Sequence, residues 1–224
     1  MNQFFITGID TGIGKTVVTG LIAKYFLLIG KKATTMKPVQ TGCDGIAEDI
    51  LVHRSIMGVE PDRFDLDGIT APFVFKYPAS PHLAAELEGR EIDVSSIDNS
   101  LKILDENFEV VLIEGAGGIY VPITRDYTTL DFIAQRSIPT IVVSSPKLGS
   151  INHTMMTLEM LKSRGIPVAA LVYNMYPAEK IEIANDSINV IKQFSKKLGL
   201  QFPVFITPFI DEKSNITVDF EGLV

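Results

Sequence analysis

Short, continuous apolar runs alternate along the chain with longer stretches in which apolar residues recur every three or four positions. A continuous apolar run is typical of a strand that is buried on both faces, and the longer spacing is typical of a helix with one buried face. The pattern predicts strands at 3–7, 33–39, 110–113, 138–143, 167–173 and 202–206. It predicts helices over 18–29, 97–108, 151–161 and 181–198.

This alternation of strands and helices predicts the architecture of the domain. Parallel strands joined by helical crossovers form one sheet with helices on both faces, so we expect a single, doubly wound, mainly parallel α/β domain over residues 1–224. Residues 58–92 contain four prolines and no regular spacing, and we expect them to form an irregular insertion within that domain. Ligands in such folds bind beyond the carboxyl ends of the strands, so the segments that follow the strands are the first candidates for function.

The composition narrows the class of protein. With 224 residues, 46% of them apolar and 21% charged, the chain resembles an average soluble domain rather than a disordered one. A net charge of −7 argues against a protein whose main work is binding nucleic acid. The single cysteine, Cys43, excludes an intrachain disulfide and a cysteine-based zinc site. No apolar run approaches the roughly 20 residues of a membrane span and no signal-like segment starts the chain, so we expect a cytoplasmic protein.

The most specific motif lies between the first predicted strand and the first predicted helix, and its sequence is Gly8-Ile9-Asp10-Thr11-Gly12-Ile13-Gly14-Lys15-Thr16. In that setting backbone N–H groups surround a polyphosphate, a lysine reaches the β- and γ-phosphates, and the next hydroxyl binds Mg²⁺. Five residues rather than four separate Gly8 from Gly14, which departs from the common P-loop by one residue. A glycine-rich turn without a ligand is the alternative, but it does not account for Gly-Lys-Thr at this place. We therefore expect a P-loop NTPase-like fold.

Two further motifs end predicted strands. The run Val110 to Gly118 has four apolar residues leading to Glu114, which resembles a strand that presents an acid to Mg²⁺, and its glycines allow backbone to approach phosphate. A second predicted strand delivers Lys37 to the ligand edge, and Asp49 follows soon after. Taken singly, Glu114 also fits a capping acid, Lys37 a solvated lysine, and Asp49 a helix-surface or capping residue.

The motifs taken together resemble one family, the dethiobiotin synthetases. The resemblance rests, in this order, on Thr7-Gly8 through Thr16, Lys37-Pro38-Val39 with Thr41-Gly42, Ser80-Pro81-His82, Glu114 to Gly118, Lys147-Leu148-Gly149 with Ile151-Asn152-His153, and Asn174. It spans almost the whole chain. It implies a homodimeric P-loop enzyme of biotin biosynthesis that converts 7,8-diaminopelargonate, CO2 and ATP to dethiobiotin, ADP and phosphate, with Mg²⁺ as cofactor.

The resemblance also implies roles for individual residues. It makes Lys37, Lys15 and Thr11 catalytic, and it makes Thr16, Asp49 and Glu114 the ligands of Mg²⁺. The implied ATP site comprises Gly12, Ile13, Gly14, Lys15, Thr16, Asp49, Glu114, Gly115, Ala116, Gly117, Asn174, Pro208, Phe209 and Ile210. Within that site Asn174 recognises the adenine edge and the turn at 208–210 supplies backbone contacts, whereas Met175 stands where the family usually has a polar residue.

The implied substrate site has two ends. It comprises Thr11, Lys37, Thr41, Gly149, Ser150, Ile151 and Asn152. The threonines and Lys37 hold the amine or carbamate end. The start of the helix near Ile151 holds the substrate carboxylate, since a helix N-terminus offers free N–H groups and partial positive charge, and in the family this helix comes from the other subunit. The alternative is that Ser150 merely caps a core helix.

The three histidines do not indicate a metal site, and two other classes of protein are alternatives for this fold. His53, His82 and His153 lack metal-ligand spacing, and we expect surface or capping histidines. A partitioning-type switch ATPase would carry a lysine at position 10, where this chain has Asp10. A small-molecule kinase of this fold would carry an arginine-rich lid, whereas the six arginines here are scattered along the chain. Both remain alternatives to the synthetase.

Overall fold

The computed structural model describes residues 2–209 and 216–223. In chain order its elements are β1 (Asn2–Gly8), α1 (Lys15–Leu28), β2 (Ala33–Met36), β3 (Val39–Thr41), α2 (Glu48–Met57), α3 (Arg63–Leu66), β4 (Phe73–Phe75), α4 (Pro81–Leu87), α5 (Val94–Asn107), β5 (Val110–Glu114), α6 (Thr129–Arg136), β6 (Thr140–Ser144), α7 (Ser150–Ser163), β7 (Val168–Asn174), α8 (Ile181–Lys197) and β8 (Val204–Thr207).

Six of the strands form one parallel sheet in the order β2-β5-β1-β6-β7-β8. Strands β5 and β6 are buried at every position, as their continuous apolar sequences predict. One apolar core packs α5, α6, α7 and α8 on one face of the sheet, and a second packs α1 and the segment 218–223 on the other. The predicted doubly wound, P-loop NTPase-like α/β fold is confirmed.

The predicted strand 33–39 is wrong, because the chain leaves the main sheet after Met36. Pro38 has no N–H to give to a strand ladder, and the N–H of Lys37 donates to the carbonyl of Thr70 at 2.7 Å. Residues Val39–Thr41 then pair with β4 in a separate two-stranded sheet. Because of this break, Lys37 lies at the end of the main sheet and Thr41 lies on the two-stranded sheet.

The prediction that residues 58–92 are irregular is also wrong, since this segment contains α3, β4 and α4. Helix α3 begins with a reciprocal capping box between Asp62 and Asp65, and α4 has Pro81 in its first turn. Elements of three to seven residues are too short to show a spacing of apolar positions. The predicted pattern missed α2 and the eight-residue α6 as well.

No helix in the described part of the chain has the length and apolar character needed to cross a membrane.

Candidate active site

The loop between β1 and α1 has the shape that its glycines allow. Gly12 and Gly14 both have positive φ, at 64° and 87°. A Cβ on Gly14 would lie 2.2 Å from Nδ2 of Asn174, so a side chain there would collide with the end of β7. Helix α1 starts directly after Gly14 without a side-chain cap, and the N–H groups of its first turn are available for an anion.

The side chain of Asn174 forms a hydrogen bond with this loop. Its Nδ2 donates to the carbonyl of Ile13 at 2.8 Å, and its Oδ1 accepts from Oγ1 of Thr207 at 2.8 Å. The side chain is buried, yet it lines the cavity described next. Asn174 therefore ties the loop to β7 and β8 in this conformation, and its adenine contact stays a prediction.

A cavity of about 1090 Å³ lies at the carboxyl ends of the strands, large enough for a nucleotide together with a small substrate. Most of the predicted site residues line it. They are Thr11, Gly12, Gly14, Lys15, Thr16, Lys37, Thr41, Asp49, Glu114, Ala116, Gly117, Asn174 and Phe209. The predicted phosphate, metal and amine-binding residues thus share one cavity.

A cluster of opposite charges lies on the floor of this cavity. The ammonium of Lys37 is 2.6 Å from Oδ2 of Asp49 and 3.0 Å from Oε1 of Glu114. Oγ1 of Thr16 is 3.2 Å from Oδ1 of Asp49 and 3.1 Å from Oε1 of Glu114. Residues from α1, the end of β2, α2 and β5 therefore converge within hydrogen-bond distance of one another.

Burial and charge oppose each other at Lys37 and Glu114. Burial alone would lower the pKa of Lys37, but the carboxylates of Glu114 and Asp49 raise it above its ordinary value. Burial alone would raise the pKa of Glu114, but the Lys37 ammonium and a hydrogen bond from His53 hold it well below its usual range. Both groups are consequently charged at neutral pH.

Lys15 has a different electrostatic environment. Its ammonium donates to the backbone carbonyl of Asp10 at 2.9 Å, so the side chain bends back over the loop. Burial lowers its pKa to about 8, with the nearby Lys37 also lowering it, against the raising effect of Glu114. A polyphosphate in the loop would favour the charged form and would raise the pKa of Lys15.

The donor set of the cluster fits Mg²⁺. Thr16, Asp49 and Glu114 offer a hydroxyl and two carboxylates, which are oxygen ligands of the kind that a hard cation prefers. Among the described residues no group of three or more His, Cys, Asp or Glu side chains could hold a metal by itself. A bound cation would therefore complete its shell with phosphate oxygens and water, as Mg²⁺ does and structural zinc does not.

The residues at 149–152 do not line the cavity of their own chain. Gly149 precedes α7 with a φ of 91° and provides no side-chain cap, and Ser150 is already the first helical residue. The alternative in which Ser150 caps the helix is therefore wrong. Leu148 beside them is 99% exposed, and Asn152 is exposed too.

Three other predicted residues, Ile13, Gly115 and Pro208, lie near the cavity in sequence or structure but do not line it. Ile13 is a core side chain whose carbonyl accepts from Asn174, and a Cβ on Gly115 would lie 2.8 Å from the ring of Phe5. Pro208 adjoins Phe209 at the cavity rim but does not line it. The predicted ATP contact at Ile210 lies outside the described residues.

The expectation that His53 is a surface or capping residue is wrong. His53 is fully buried, and its Nε2 lies 2.7 Å from Oε2 of Glu114. The signal was present in the sequence, because His53 follows Asp49 by four residues and so shares its face of α2. By contrast, His82 contacts Ser80 at 3.2 Å and His153 is exposed.

Sequence patterns also missed part of the cavity wall. Gln40 lines it beside Thr41, and Tyr176 lines it beside Asn174. The ring of Tyr176 stacks on that of Phe209 with centroids 5.8 Å apart. Residues 78–81, which include part of the Ser80-Pro81-His82 motif, also line the cavity.

Comparison with known proteins places this geometry in context. A family model described as an AAA domain matches residues 2–205. The chain is 48% identical over 194 residues to the ATP-dependent dethiobiotin synthetase BioD 2 of Pasteurella multocida, which covers 87% of this chain and 91% of that protein. It is 34% identical over 222 residues to the ATP-dependent dethiobiotin synthetase BioD of Methanococcus vannielii, with 99% of both chains covered.

Solved structures of similar fold are more distant in sequence. A ParA family ATPase from Chlorobium tepidum aligns with a TM-score of 0.55 at 12% identity, over 94% of this chain and 86% of that one. The MinC:MinD cell division complex of Aquifex aeolicus aligns with a TM-score of 0.52 at 19% identity, over 93% of this chain and 81% of that one. These two comparisons support the fold alone.

Proposed function

The chain belongs to the ATP-dependent dethiobiotin synthetase family, and from this premise we propose that it joins 7,8-diaminopelargonate and CO2 into dethiobiotin, with conversion of ATP to ADP and phosphate. The observation that carries the proposal is the meeting of Lys37, Asp49 and Glu114 beside the P-loop lysine in one cavity. The reaction brings two anions together, a carbamate and a triphosphate, and preorganised cations relieve their repulsion.

ATP would lie along the loop from Gly12 to Thr16. The free N–H groups of α1 and the ammonium of Lys15 would hold its phosphates, and the glycines after Glu114 would let backbone approach them. Thr16, Asp49 and Glu114 would hold Mg²⁺, which when bound neutralises phosphate charge. The base would lie toward Asn174 and Phe209.

The amines of the substrate would lie near Thr11, Thr41 and Lys37. One amine takes up CO2 and loses a proton to form a carbamate. A carbamate oxygen attacks the γ-phosphorus, ADP leaves, and a carbamic–phosphoric anhydride results. The second amine attacks the carbonyl carbon of that anhydride, the urea ring closes, and phosphate leaves with the oxygen that came from CO2. Lys37, charged at neutral pH, would stabilise the negative charge of the carbamate and of the phosphate in both steps.

The substrate carboxylate would bind at the start of α7 in a second copy of the chain. This part of the proposal draws support from the uncapped helix start at Gly149–Asn152, which lies outside the cavity of its own chain. The exposed Leu148 and Met156 provide apolar surface for a partner copy. We therefore infer a homodimer, and a cytoplasmic location as for other enzymes of small-molecule synthesis.

The alternatives receive less support. Asp10, at the position of a switch ATPase lysine, forms an ion pair with Lys147 at 3.1 Å, and this pairing lowers the pKa of Asp10. None of the six arginines lines the cavity, although a kinase lid would place arginines over the phosphates.

A single assay separates the three functions. Purified protein is supplied with Mg-ATP alone, then with diaminopelargonate and bicarbonate, then with DNA, and products are identified by mass. ATP consumption that requires the diamine and bicarbonate and yields dethiobiotin supports the synthetase. DNA-dependent hydrolysis indicates a switch ATPase, and a phosphorylated organic product indicates a kinase.

A further inference from the structure

His53 lies behind the carboxylate of Glu114, on the side away from the cavity. Both side chains are fully shielded from solvent. Nε2 of the imidazole is 2.7 Å from Oε2 of Glu114, and Nδ1 is 2.9 Å from Oγ1 of Thr35 on the neighbouring strand β2. His53 does not line the cavity, so it would act on substrates only through Glu114.

One placement of the hydrogens around Thr35 gives each of these polar groups a partner. Oγ1 of Thr35 accepts from Nη1 of Arg54 at 3.0 Å, and a guanidinium can only donate. The one hydrogen of the Thr35 hydroxyl is then available for Nδ1 of His53. With Nδ1 as acceptor, the imidazole carries its hydrogen on Nε2 and donates it to Glu114.

The Nε2–H group of His53 occupies one carboxylate oxygen of Glu114, and the other oxygen faces the residues of the cavity. Oε2 of Glu114 accepts from His53, while Oε1 lies 3.1 Å from Thr16 and 3.0 Å from Lys37. A carboxylate held at one oxygen cannot rotate freely about its last bond. We propose that His53 is a positioning residue that orients Glu114, so that Oε1 faces the metal and Lys37 during the reaction.

A buried ion pair between Arg54 and Asp65 connects the surroundings of His53 to Lys37. Arg54 binds Asp65 through two hydrogen bonds of 2.8 Å, and Asp65 also accepts from the Thr70 hydroxyl at 2.7 Å. The carbonyl of Thr70 in turn accepts the backbone N–H of Lys37 at 2.7 Å. One network thus fixes Glu114 through His53 and fixes Lys37 through its backbone, and buried networks of this kind restrict their members to one geometry.

The inference rests on the proposed metal role of Glu114, and three variants test it. His53→Leu removes the donor, His53→Gln can place an amide N–H near the position of Nε2, and Ile56→Ala on the same helix loosens packing against Gly20 of α1 without touching Glu114. Two experiments are performed on each variant: electron paramagnetic resonance gives the affinity of the ATP complex for Mn²⁺, and steady-state kinetics give kcat and KM for dethiobiotin formation.

We expect His53→Leu to weaken Mn²⁺ binding and to lower kcat by about 10- to 100-fold, the usual effect of losing a residue that orients a metal ligand. His53→Gln should recover most of both quantities, and Ile56→Ala should change neither beyond about twofold. Equal impairment of the Gln and Leu variants, or no impairment in either, would overturn the proposal. A wild-type protein that binds Mn²⁺ with ATP but makes no dethiobiotin would instead refute the proposed function, and the Mn²⁺ comparison would still decide the role of His53.

The tautomer can be measured in the wild-type protein, whatever the stability of the variants. Long-range ¹H–¹⁵N correlation spectra distinguish an Nε2–H imidazole from an Nδ1–H imidazole. We expect the Nε2–H form for His53. An Nδ1–H form would leave Nε2 without a hydrogen for Glu114 and would overturn the proposal.

Discussion

Lys37 and Glu114 meet because their strands are in register. Met36 pairs with Ile113 at the ends of β2 and β5, so the next residue of each strand reaches the same point at the edge of the sheet. There the ammonium of Lys37 lies 3.0 Å from Oε1 of Glu114. Pro38 turns the chain out of the sheet directly afterwards, so β2 does not extend past Met36. Lys37 therefore stays at the edge of the sheet, where the cavity lies.

Replacing Lys37 tests its part in the chemistry. We expect Lys37→Gln to lower kcat by about 10²- to 10³-fold, the usual loss when a group that stabilises transition-state charge is removed. ATP affinity should change little, because the loop and Lys15 hold the triphosphate. Steady-state turnover and equilibrium ATP binding measure the two effects. Near-normal turnover in a folded variant would refute the catalytic role of Lys37.

Removing one carboxylate from the cluster tests the metal site. Asp49→Asn keeps the shape of the side chain but takes away a charged oxygen ligand, so the Mg²⁺ concentration needed for half-maximal activity should rise by about tenfold or more. Asp44→Asn is the matched control, because Asp44 is exposed and its carboxylate forms an ion pair with Lys76 at 2.8 Å. If both variants need the same Mg²⁺ concentration as the wild type, Asp49 is not a ligand.

The lowered pKa of Lys15 predicts proton uptake when ATP binds. With a pKa of about 8 in the free protein, the amine is about half deprotonated at pH 8. Phosphates favour the ammonium and raise this pKa, so ATP binding at pH 8 should take up on the order of half a proton per site. Near pH 6.5 the amine is already charged and this uptake should vanish.

Calorimetry in two buffers of different ionisation enthalpy measures the number of protons. Equal uptake at pH 6.5 and pH 8 would show that Lys15 does not titrate on binding.

The proposed binding of the substrate carboxylate at the start of α7, called the carboxylate anchor below, can be tested by a change of charge. Asn152→Asp places a negative charge in the first turn of the helix, which suits the helix itself but repels a substrate carboxylate. KM for diaminopelargonate should therefore rise at least tenfold, with ATP affinity and thermal stability unchanged. Glu159→Gln, on an exposed position of the same helix, should leave KM as it is. An effect confined to ATP affinity would refute the proposal that this helix start binds the substrate carboxylate.

Mixing the Lys37→Gln and Asn152→Asp variants tests whether the carboxylate anchor comes from a partner copy, if activity is measured at diaminopelargonate concentrations well below the wild-type KM, where each variant alone has little activity. In a heterodimer of Lys37→Gln and Asn152→Asp subunits, a site shared between copies leaves one of the two sites fully intact. Activity should then return to about a quarter of the wild-type value, since half of the dimers are mixed and each has one working site. No recovery after verified subunit exchange would place the whole site within one chain.

The parts of the site that could be predicted from sequence are contiguous. The loop from Gly8 to Thr16 and the acid at the end of β5 each have a local pattern, because phosphate binding needs a strand, a turn and a helix in immediate succession. The spacing of His53 from Asp49 indicated that they share a face of α2, but the contact of His53 with Glu114 has no such local pattern. Glu114 lies 61 residues from His53, and only the fold brings them together.

There is also a physical reason why the sequence pattern predicted the strand at 33–39 incorrectly. The bend after Met36 depends on Pro38 and on a carbonyl from Thr70, so apolar spacing alone predicted one continuous strand. The resemblance implied that residues 149–152 serve the site of a partner copy, and the structure adds that they do not line the cavity of their own chain.

The transfer of oxygen from CO2 to phosphate tests the proposed reaction most directly. Enzyme, diaminopelargonate and Mg-ATP are mixed with freshly dissolved ¹⁸O-bicarbonate, and phosphate and dethiobiotin are analysed by mass spectrometry at short times. A carbamic–phosphoric anhydride predicts one labelled oxygen in each phosphate released and a second in the carbonyl of dethiobiotin. Unlabelled phosphate formed alongside dethiobiotin, or ATP hydrolysis without dethiobiotin, would contradict the account.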